Sequence, residues 1–212
     1  EIIGILDNTP IYRPYFFGGR LSIFNPKIVE SVDFYPGGYD ASYGQSLSGI
    51  IDVKTIDGNF EEFQSELETN LTDLNYYVTC PNEKGKSTWM ASYRRTYYDL
   101  VLPLAASLAG IKGQTGVPYL QAFQTKYTDK LNSYHKLRIN IGYFNDGANM
   151  EELSSDDSKD TDIEGSWEYI QSRFINSIQL ESILNKKAIN ELTLSFNKLN
   201  GFFKLSGNNL NV

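Results

Sequence analysis

The feature that most constrains the fold is a series of segments in which apolar and polar residues alternate. The clearest segment covers residues 135–145, where Leu137, Ile139, Ile141 and Tyr143 are separated by polar or small residues. Such alternation is typical of a β-strand with one apolar and one polar face, because successive side chains point to opposite faces. Six such segments predict six antiparallel strands: 62–80, 87–97, 119–131, 135–145, 167–184 and 188–199.

The connections between these segments alternate in length. Three are short turns and two are long, and the short ones cover 81–86, 132–135 and 185–187. Short turns at one end and long loops at the other are typical of transmembrane β-barrels, whose strands exceed the usual five or six residues. Five aromatic residues lie near the long-loop ends, where such barrels carry an aromatic girdle: Tyr93, Tyr97, Tyr143, Trp167 and Tyr169. A phase flip near Asp73 predicts a β-bulge, and another flip is predicted near Ile170.

The composition narrows the function classes. A net charge of −7 and a pI of about 4.8 leave no basic face for nucleic acid. With Cys80 and His135 as the single cysteine and histidine, an intrachain disulfide and a Cys- or His-rich metal site are excluded. A Ser-His-Asp triad would depend on His135, which lies in a predicted turn, so neither an enzyme nor a cofactor is expected. The longest apolar run, 100–111, is too short for a transmembrane helix.

Residues 1–58 have a different texture, with short apolar runs and many turn signals. Strands are predicted at 2–6, 28–35 and 49–55, each followed by a sequence rich in Gly, Pro, Asn or Asp. Asn25 and Pro26 predict a short helical turn with Asn25 as its cap. We therefore expect a compact N-terminal module at 1–58, followed by the long strands at 59–212.

Residues 25–44 carry a specific motif, NPKIVESVDFYPGGYDASYG, which is followed at 48–55 by SGIIDVKT. Together with LDNTPIY at 6–12, they resemble the plug domain of TonB-dependent outer-membrane receptors. The similarity spans about residues 5–55. Further along, SYRRTY at 92–97 resembles the second barrel strand of Bacteroidota-type members. Two departures are that Asn8 stands where Gly is common, and that the usual Arg of the Arg-Gly-Pro turn is absent from 35–38.

The resemblance implies a mainly β chain in which 1–58 is the C-terminal part of a plug domain and 59–212 holds about six antiparallel strands of a transmembrane β-barrel. Because such barrels need about 22 strands, we expect the chain to be a fragment of a larger receptor. The implied function is energy-dependent uptake of a scarce ligand, such as an iron chelate, cobalamin, an oligosaccharide or a peptide, at the bacterial outer membrane. The implied partners are outer-membrane lipid, a TonB-type energy-coupling protein and a surface lipoprotein.

The resemblance also assigns residues. Ligand contact is expected in the loop after the first plug strands, at Tyr12, Arg13, Tyr15, Phe16 and Arg20, with packing against the barrel interior as the alternative. The plug motif comprises Glu30, Gly37, Gly38, Tyr43 and Gly44. Its glycines are expected to serve turns, and Tyr43 is expected to pack against the barrel wall.

One further contact and two alternatives complete the expectations. Arg94 is expected to reach from the barrel wall to plug carboxylates such as Glu30 or Asp33. The acidic residues within 151–164 indicate a solvated loop, with a divalent-cation site as the alternative. For the whole chain, the alternative is a soluble β-rich binding or adhesion module, in which the apolar stripes fill a sandwich core.

Overall fold

The described part of the chain forms two main β-sheets of very different strand length and a separate two-stranded pair. The computed structural model describes residues 2–16, 21–40, 43, 49–110, 117–151, 165–207 and 210–211. The fold is mainly β and largely antiparallel, as the alternation predicts.

Short strands fill the N-terminal region. They are β1 (Ile2–Leu6), β2 (Thr9–Ile11), β3 (Tyr15–Phe16), β4 (Leu21–Ser22), β5 (Val29–Tyr35) and β6 (Gly49–Thr55). Four of them form the N-terminal sheet in the order β2-β1-β6-β5, with β1 and β6 parallel, while β3 and β4 form a separate hairpin. The three strands predicted here are confirmed to within one residue.

The predicted helical turn is a 3-10 helix at Pro26–Ile28. The Asn25 side chain accepts a hydrogen bond of 3.0 Å from the Lys27 backbone nitrogen, and Pro26 occupies the first helical positions. Asn25 therefore acts as the N-cap, which satisfies one of the donors that a helix leaves free at its start.

The second sheet, called the long sheet below, contains the rest of the strands. They are β7 (Gln64–Thr69), β8 (Asp73–Glu83), β9 (Ser87–Thr96), β10 (Val117–Lys130), β11 (His135–Glu151), β12 (Gly165–Asn185), β13 (Ala188–Gly207) and β14 (Leu210–Asn211). Each strand pairs antiparallel with its neighbours in sequence. Within the described residues the long sheet is open, with β7 and β14 at its edges.

Two details of the predicted strand pattern are wrong. The phase flip near Asp73 is a tight turn between β7 and β8 rather than a bulge, because the Asn70 side chain accepts from the backbone nitrogens of Thr72 and Asp73 at 2.7 and 2.9 Å. The flip predicted near Ile170 is absent, since β11 and β12 pair without interruption from His135–Ser182 to Glu151–Ser166. Trp167 and Tyr169 therefore lie on the opposite face from Tyr143.

The connection between β9 and β10 contains the helix α1 (Tyr98–Leu108), which alternation did not predict. No helix among the described residues is long and apolar enough to cross a membrane.

The N-terminal sheet packs against one face of the long sheet, which we call the inward face. Its side chains Leu6, Ile11 and Val53, together with Ile23 of the connecting segment, form a buried cluster with four residues of the long sheet: Leu120, Ala122, Phe144 and Ile175. Residues on alternate positions of β10, β11 and β12 point the other way, to the outward face. Every polar or charged side chain at an inward position therefore lies towards the N-terminal module.

Candidate functional site

The polar part of the boundary between the two sheets is the candidate functional site, and we call it the inter-sheet seam. Four of its charged side chains come from three inward strand positions and one loop. Lys126 is on β10, Arg138 on β11 and Glu181 on β12, while Asp57 follows β6. Strand alternation places the first three on the inward face, the same face that carries the apolar cluster.

Lys126 is the most deeply buried charge of the seam, with 1% of its side chain exposed. Its Nζ donates to the Thr55 carbonyl oxygen at 2.8 Å and lies 3.1 Å from Asp7 Oδ2. Asp7 in turn accepts from the backbone nitrogen and hydroxyl of Thr55, at 2.9 and 2.6 Å. A buried charge needs such a full set of partners, because its desolvation is otherwise uncompensated.

A tight turn holds Asp7 in position. Asp7 and Asn8 adopt φ values of 45° and 60°, and the backbone nitrogen of Asp7 donates to the Val53 carbonyl. Asn and Asp tolerate this left-handed region better than other non-glycine residues. The departure from Gly at position 8 is therefore compatible with the turn, and the turn directs the Asp7 carboxylate towards Thr55 and Lys126.

Asp57 binds a second group of cations. Its Oδ1 accepts from Arg138 Nε at 2.8 Å, and its Oδ2 lies 3.4 Å from Lys136 Nζ. Lys126 Nζ is 3.9 Å away. Burial alone would raise the pKa of Asp57, but the hydrogen bond from Arg138 and the three positive charges outweigh it and hold the pKa below its usual value.

The seam is thus a network rather than a set of isolated pairs. Arg138 also donates from Nη1 to Glu181 Oε2 at 2.9 Å. One guanidinium on β11 therefore binds both Asp57 and a carboxylate on β12. A cleft of about 190 Å³ opens beside it between the two sheets. Its lining includes the seam residues and the exposed carboxylates Glu30 and Glu191.

Arg94 forms a separate contact between the sheets. From its inward position on β9, its Nη1 donates to the carbonyl oxygens of Ser22 and Phe24, at 3.1 and 2.7 Å. Its nearest carboxylate partner is Asp73, at 3.9 Å on the adjacent β8. Arg94 therefore reaches the N-terminal module, and it binds backbone carbonyls there instead of the expected carboxylates of Glu30 or Asp33.

Part of the loop expected to contact a ligand lies beside the middle of β12 and β13, near Arg173 and Asn197. Tyr12 and Arg13 are exposed, and Tyr12 lines a shallow cleft of about 60 Å³ with Arg173 and Asn197. Tyr15 starts β3, and burial raises its pKa. Phe16 pairs with Leu21 in the β3–β4 hairpin, and Arg20 lies outside the described residues.

The motif residues lie around β5 and β6. Glu30 is exposed on β5, and Gly38 adopts φ +67°, so that it provides the left-handed conformation expected of a turn glycine. Gly37 has no positive φ and Gly44 lies outside the described residues. The contacts of Tyr43 are within the N-terminal module, where its ring lies 5.3 Å from that of Tyr35 and its hydroxyl donates to Asp52 at 3.0 Å.

Sequence reasoning missed the central residues of the seam. Lys126 lies in the least regular of the predicted strands, and Asp57 reads as an ordinary turn residue before Gly58. One signal was present: Gln124, Lys126 and Thr128 share one phase of β10, so a cation in the middle of the strand lies on the same face as Leu120 and Ala122. A cation in such a position needs a buried partner from another element.

The outward face of the long sheet has the opposite character. The register places five aromatic residues directly beside one another across β8 to β12: Tyr76, Tyr93, Phe123, Tyr143 and Phe174. We call this line the aromatic row. Two positions further along, towards α1, the neighbours on β9 to β12 are polar, at Arg95, Gln121, Asn145 and Ser172, while the neighbour on β8 is Leu74.

In the other direction from the aromatic row, the outward face is mostly apolar, although Thr125 and Asn176 flank Ile141 and Asp129 lies beside Leu137. One line consists of Trp89, Tyr127, Ile139, Ile178 and Leu194, and another contains Leu137, Leu180 and Leu192. From Leu137 to Tyr143 this apolar band extends over six residues, which is roughly 20 Å of strand. Many of its members are exposed, including Ile178 at 50% and Leu194 at 64%.

The described residues contain no group of three or more His, Cys, Asp or Glu side chains arranged to hold a metal. His135 Nδ1 lies 2.9 Å from Ser182 Oγ at the start of β11. The acidic stretch from 152 to 164 falls outside the described residues. Chemically, the seam offers reversible ion pairing and hydrogen bonding between two sheets, and the outward face offers an apolar surface with an aromatic border.

Comparisons with protein-family models, with curated proteins and with solved structures gave no match.

Proposed function

We propose that the chain belongs to a bacterial outer-membrane receptor that takes up a scarce ligand through a plugged β-barrel. In this proposal 1–58 is the C-terminal part of the plug and 59–212 contributes the first strands of the wall. The ligand classes are those that the resemblance implies: an iron chelate, cobalamin, an oligosaccharide or a peptide.

The observation that carries the proposal is the change of polarity on the outward face of β9 to β12. An apolar band borders the aromatic row, and the next outward line is polar at Arg95, Gln121, Asn145 and Ser172. Barrel walls carry such a band, about 25 Å tall, with aromatic residues at the level of the lipid headgroups. A sandwich module would instead bury this face under a second sheet.

The inward face supports the same proposal. Lys126, Arg138 and Arg173 all lie on inward positions, and the outward neighbours of Arg138 on its strand are the apolar Leu137 and Ile139. An Arg or Lys facing lipid at mid-depth costs about 2–4 kcal/mol, whereas a lumen position carries no such cost. The strands β10 to β13 are 14, 17, 21 and 20 residues long, which is more than enough to cross a membrane at a tilt.

The seam supports a plug that is held firmly and can still move. The wall supplies Lys126, Lys136 and Arg138, and the plug supplies Asp7 and Asp57. Ion pairs and hydrogen bonds can exchange with water when the plug is pulled, because charged groups are well solvated outside the seam. In this proposal the cations that hold the plug lie on the wall, whereas the Arg usual in the family turn at 35–38 is absent.

The ligand contact is proposed at the exposed Tyr12 and Arg13. Tyr12 lies beside Arg173 and Asn197, near the level of the aromatic row, where Phe174 and Lys198 pair. An aromatic ring and a guanidinium at the mouth of a lumen can stack on a ligand and pair with its anionic groups. A TonB-type coupling protein and a surface lipoprotein are the proposed partners.

The experiment that tests the function is fractionation of cells expressing the full-length protein, followed by gel migration with and without heating. Recovery in the outer membrane with a compact band that shifts on heating supports the receptor. Recovery in the soluble fraction with no heat shift overturns it, and makes the soluble β-rich binding module the better explanation of the fold.

A further inference from the structure

Two clefts lie along the boundary between β2 and the inward face of β12 and β13. The larger, of about 190 Å³, opens at the seam and includes Asn8 and Thr193 in its lining; we call it the seam cleft. The smaller, of about 60 Å³, includes Tyr12 and Asn197, and we call it the Tyr12 cleft. Thr193 and Asn197 are inward residues of β13 four positions apart, so roughly 13 Å of strand separates the two clefts.

A line of small hydroxyl side chains, called the hydroxyl line below, joins the two clefts. Thr9 lies between Asn8 and Tyr12 on the chain, while Ser177 and Ser195 lie midway on β12 and β13, where the register pairs them directly. Thr9 and Ser177 are buried and Ser195 is exposed. A hydrophilic solute that moves along this line keeps hydrogen-bond partners, which the neighbouring apolar cluster would not provide.

Two hydrogen bonds between neutral groups cross this boundary. Gln179 Nε2 donates to the Asp7 carbonyl oxygen, and Asn197 Nδ2 donates to the Pro10 carbonyl oxygen at 2.5 Å. Each donor lies on an inward position, two residues along its strand from the hydroxyl line. The first contact lies towards the seam cleft and the second towards the Tyr12 cleft, so together they close the line at both ends.

The other side of the N-terminal module is held by charged groups. Arg94 on β9 donates to the carbonyl oxygens of Ser22 and Phe24, and Lys126 on β10 pairs with the Asp7 carboxylate. Hydrogen bonds that involve an ionised group are about twice as strong as those between neutral groups. The module therefore separates more easily from β12 and β13 than from β9 and β10.

We propose that the ligand passes from the Tyr12 cleft to the seam cleft along the hydroxyl line, and that Gln179 and Asn197 form the gate of this passage. The inference rests on the proposed function, because it takes Tyr12 to be the site of ligand contact. Both clefts are smaller than the about 300–1,000 Å³ of an ordinary small-molecule site, so the gate widens as the ligand passes. Lys126 and Arg94 keep the module attached to the wall meanwhile.

Ion conductance of the full-length protein in a planar lipid bilayer tests the gate, with potassium chloride as the probe. The gate variant Gln179→Ala, Asn197→Ala removes both neutral hydrogen bonds. The matched control Asn75→Ala, Gln124→Ala truncates two other buried inward amides, on β8 and β10, and neither of them lines a cleft. We expect the gate variant to conduct at least about tenfold better than the wild type, and the control to stay within about twofold of it.

A cysteine on the hydroxyl line shows where the current flows. In the gate variant Cys80 is first replaced by Ser, and the new cysteine is introduced as Ser195→Cys or, for comparison, as Glu66→Cys. Glu66 is exposed on the inward face of β7, on the other side of the module. A bulky water-soluble thiol reagent is expected to remove most of the conductance with Ser195→Cys and to leave it unchanged with Glu66→Cys.

The outcomes separate the passage from the receptor. A gate variant that conducts no better than the wild type or the control would overturn the passage, and so would block at Glu66→Cys in place of Ser195→Cys. Both results leave the proposed function intact in a protein whose compact band shifts on heating. A full-length protein without that band, which also fails to insert into the bilayer, would count against the receptor itself.

Discussion

Lys126 Nζ lies 3.1 Å from Asp7 Oδ2, and the two side chains are 1% and 7% exposed. This contact joins a strand of the long sheet to the first turn of the N-terminal sheet. Since Lys126 also donates to the Thr55 carbonyl, one side chain connects three elements of the fold. Four predictions follow from this arrangement and from the two faces of the long sheet.

Replacing Lys126 by Met leaves the Asp7 carboxylate buried without its cation. Removing one partner of a buried ion pair typically costs about 3–5 kcal/mol, so the free energy of unfolding is expected to fall by that order. Denaturant unfolding of the folded protein measures it. The double variant Lys126→Met, Asp7→Asn is expected to regain a large part of the loss, because no unpaired charge remains.

The exposed pair of Lys86 and Glu83 provides a control of the same chemistry. Lys86→Met is expected to leave the free energy of unfolding nearly unchanged, because an exposed ion pair is screened by solvent. Equal losses from Lys126→Met and Lys86→Met would refute the structural role of the buried pair.

Asp57 predicts a specific dependence of stability on pH. Its pKa in the folded protein lies below the ordinary value of 3.8, because Arg138 and two lysines outweigh the effect of burial. A depressed pKa means that the unfolded chain binds the proton more readily. The stabilisation from Asp57 is thus fully present above pH 3.8 and is lost as the pH falls through the folded pKa.

The measurement is the free energy of unfolding as a function of pH for the wild type and for Asp57→Asn. We expect the variant to be less stable at neutral pH, and the difference between the two proteins to shrink as the solution is acidified below about pH 4. A difference that stays constant over the whole acid range would show that the Asp57 charge contributes nothing.

If the outward band faces lipid, the stability cost of replacing an outward residue by arginine depends strongly on its position along the strand. Ile178 lies in the middle of the band and Ser172 lies on the polar line beyond the aromatic row, both on β12. In a lipid-facing wall, Ile178→Arg is expected to cost about 2–4 kcal/mol and Ser172→Arg about 0–1 kcal/mol.

Unfolding in lipid vesicles measures both variants of the full-length protein. Because Ile178 is already half exposed, the same substitution in a water-facing sheet would change stability by about 0.5 kcal/mol or less. Two equally small effects would therefore argue against a lipid-facing band.

Arg94 predicts a local effect on the segment before the 3-10 helix. Arg94→Met removes the donor to the Ser22 and Phe24 carbonyls, which is expected to cost about 1–3 kcal/mol. Hydrogen exchange of the backbone amides at 22–24 is expected to speed up. The neighbouring Arg95→Met is the matched control, since Arg95 lies on the outward face and should leave this segment unchanged.

Some elements of the fold could be predicted because their signal is local. The start of β9 at Ser87 and of β11 at His135, the cap at Asn25, and the short turns all depend on side chains within a few residues of each other. The hairpin of β7 and β8 was misread as one bulged strand. The alternation reverses at a tight turn as it does at a bulge, and only the hydrogen bonds of Asn70 distinguish them.

The candidate site was predicted less well than the strands. Arg94 was expected to bridge the two modules and it does reach Ser22 and Phe24, but the choice of backbone carbonyls over carboxylates depends on distances that alternation does not contain. Tyr43 was expected to face the wall, and its contacts with Tyr35 and Asp52 depend on how the segment after β5 folds back on β6.

The sequence by itself determined which residues share a face of each strand, because the period of two is a property of the local backbone. It thereby determined that the long strands have an apolar and a polar side. Only the tertiary structure decided the register, which aligns Tyr76, Tyr93, Phe123, Tyr143 and Phe174 in one row. It also brought Asp7 and Asp57 to Lys126 and Arg138, since pairs at least 69 residues apart form only when two sheets pack together.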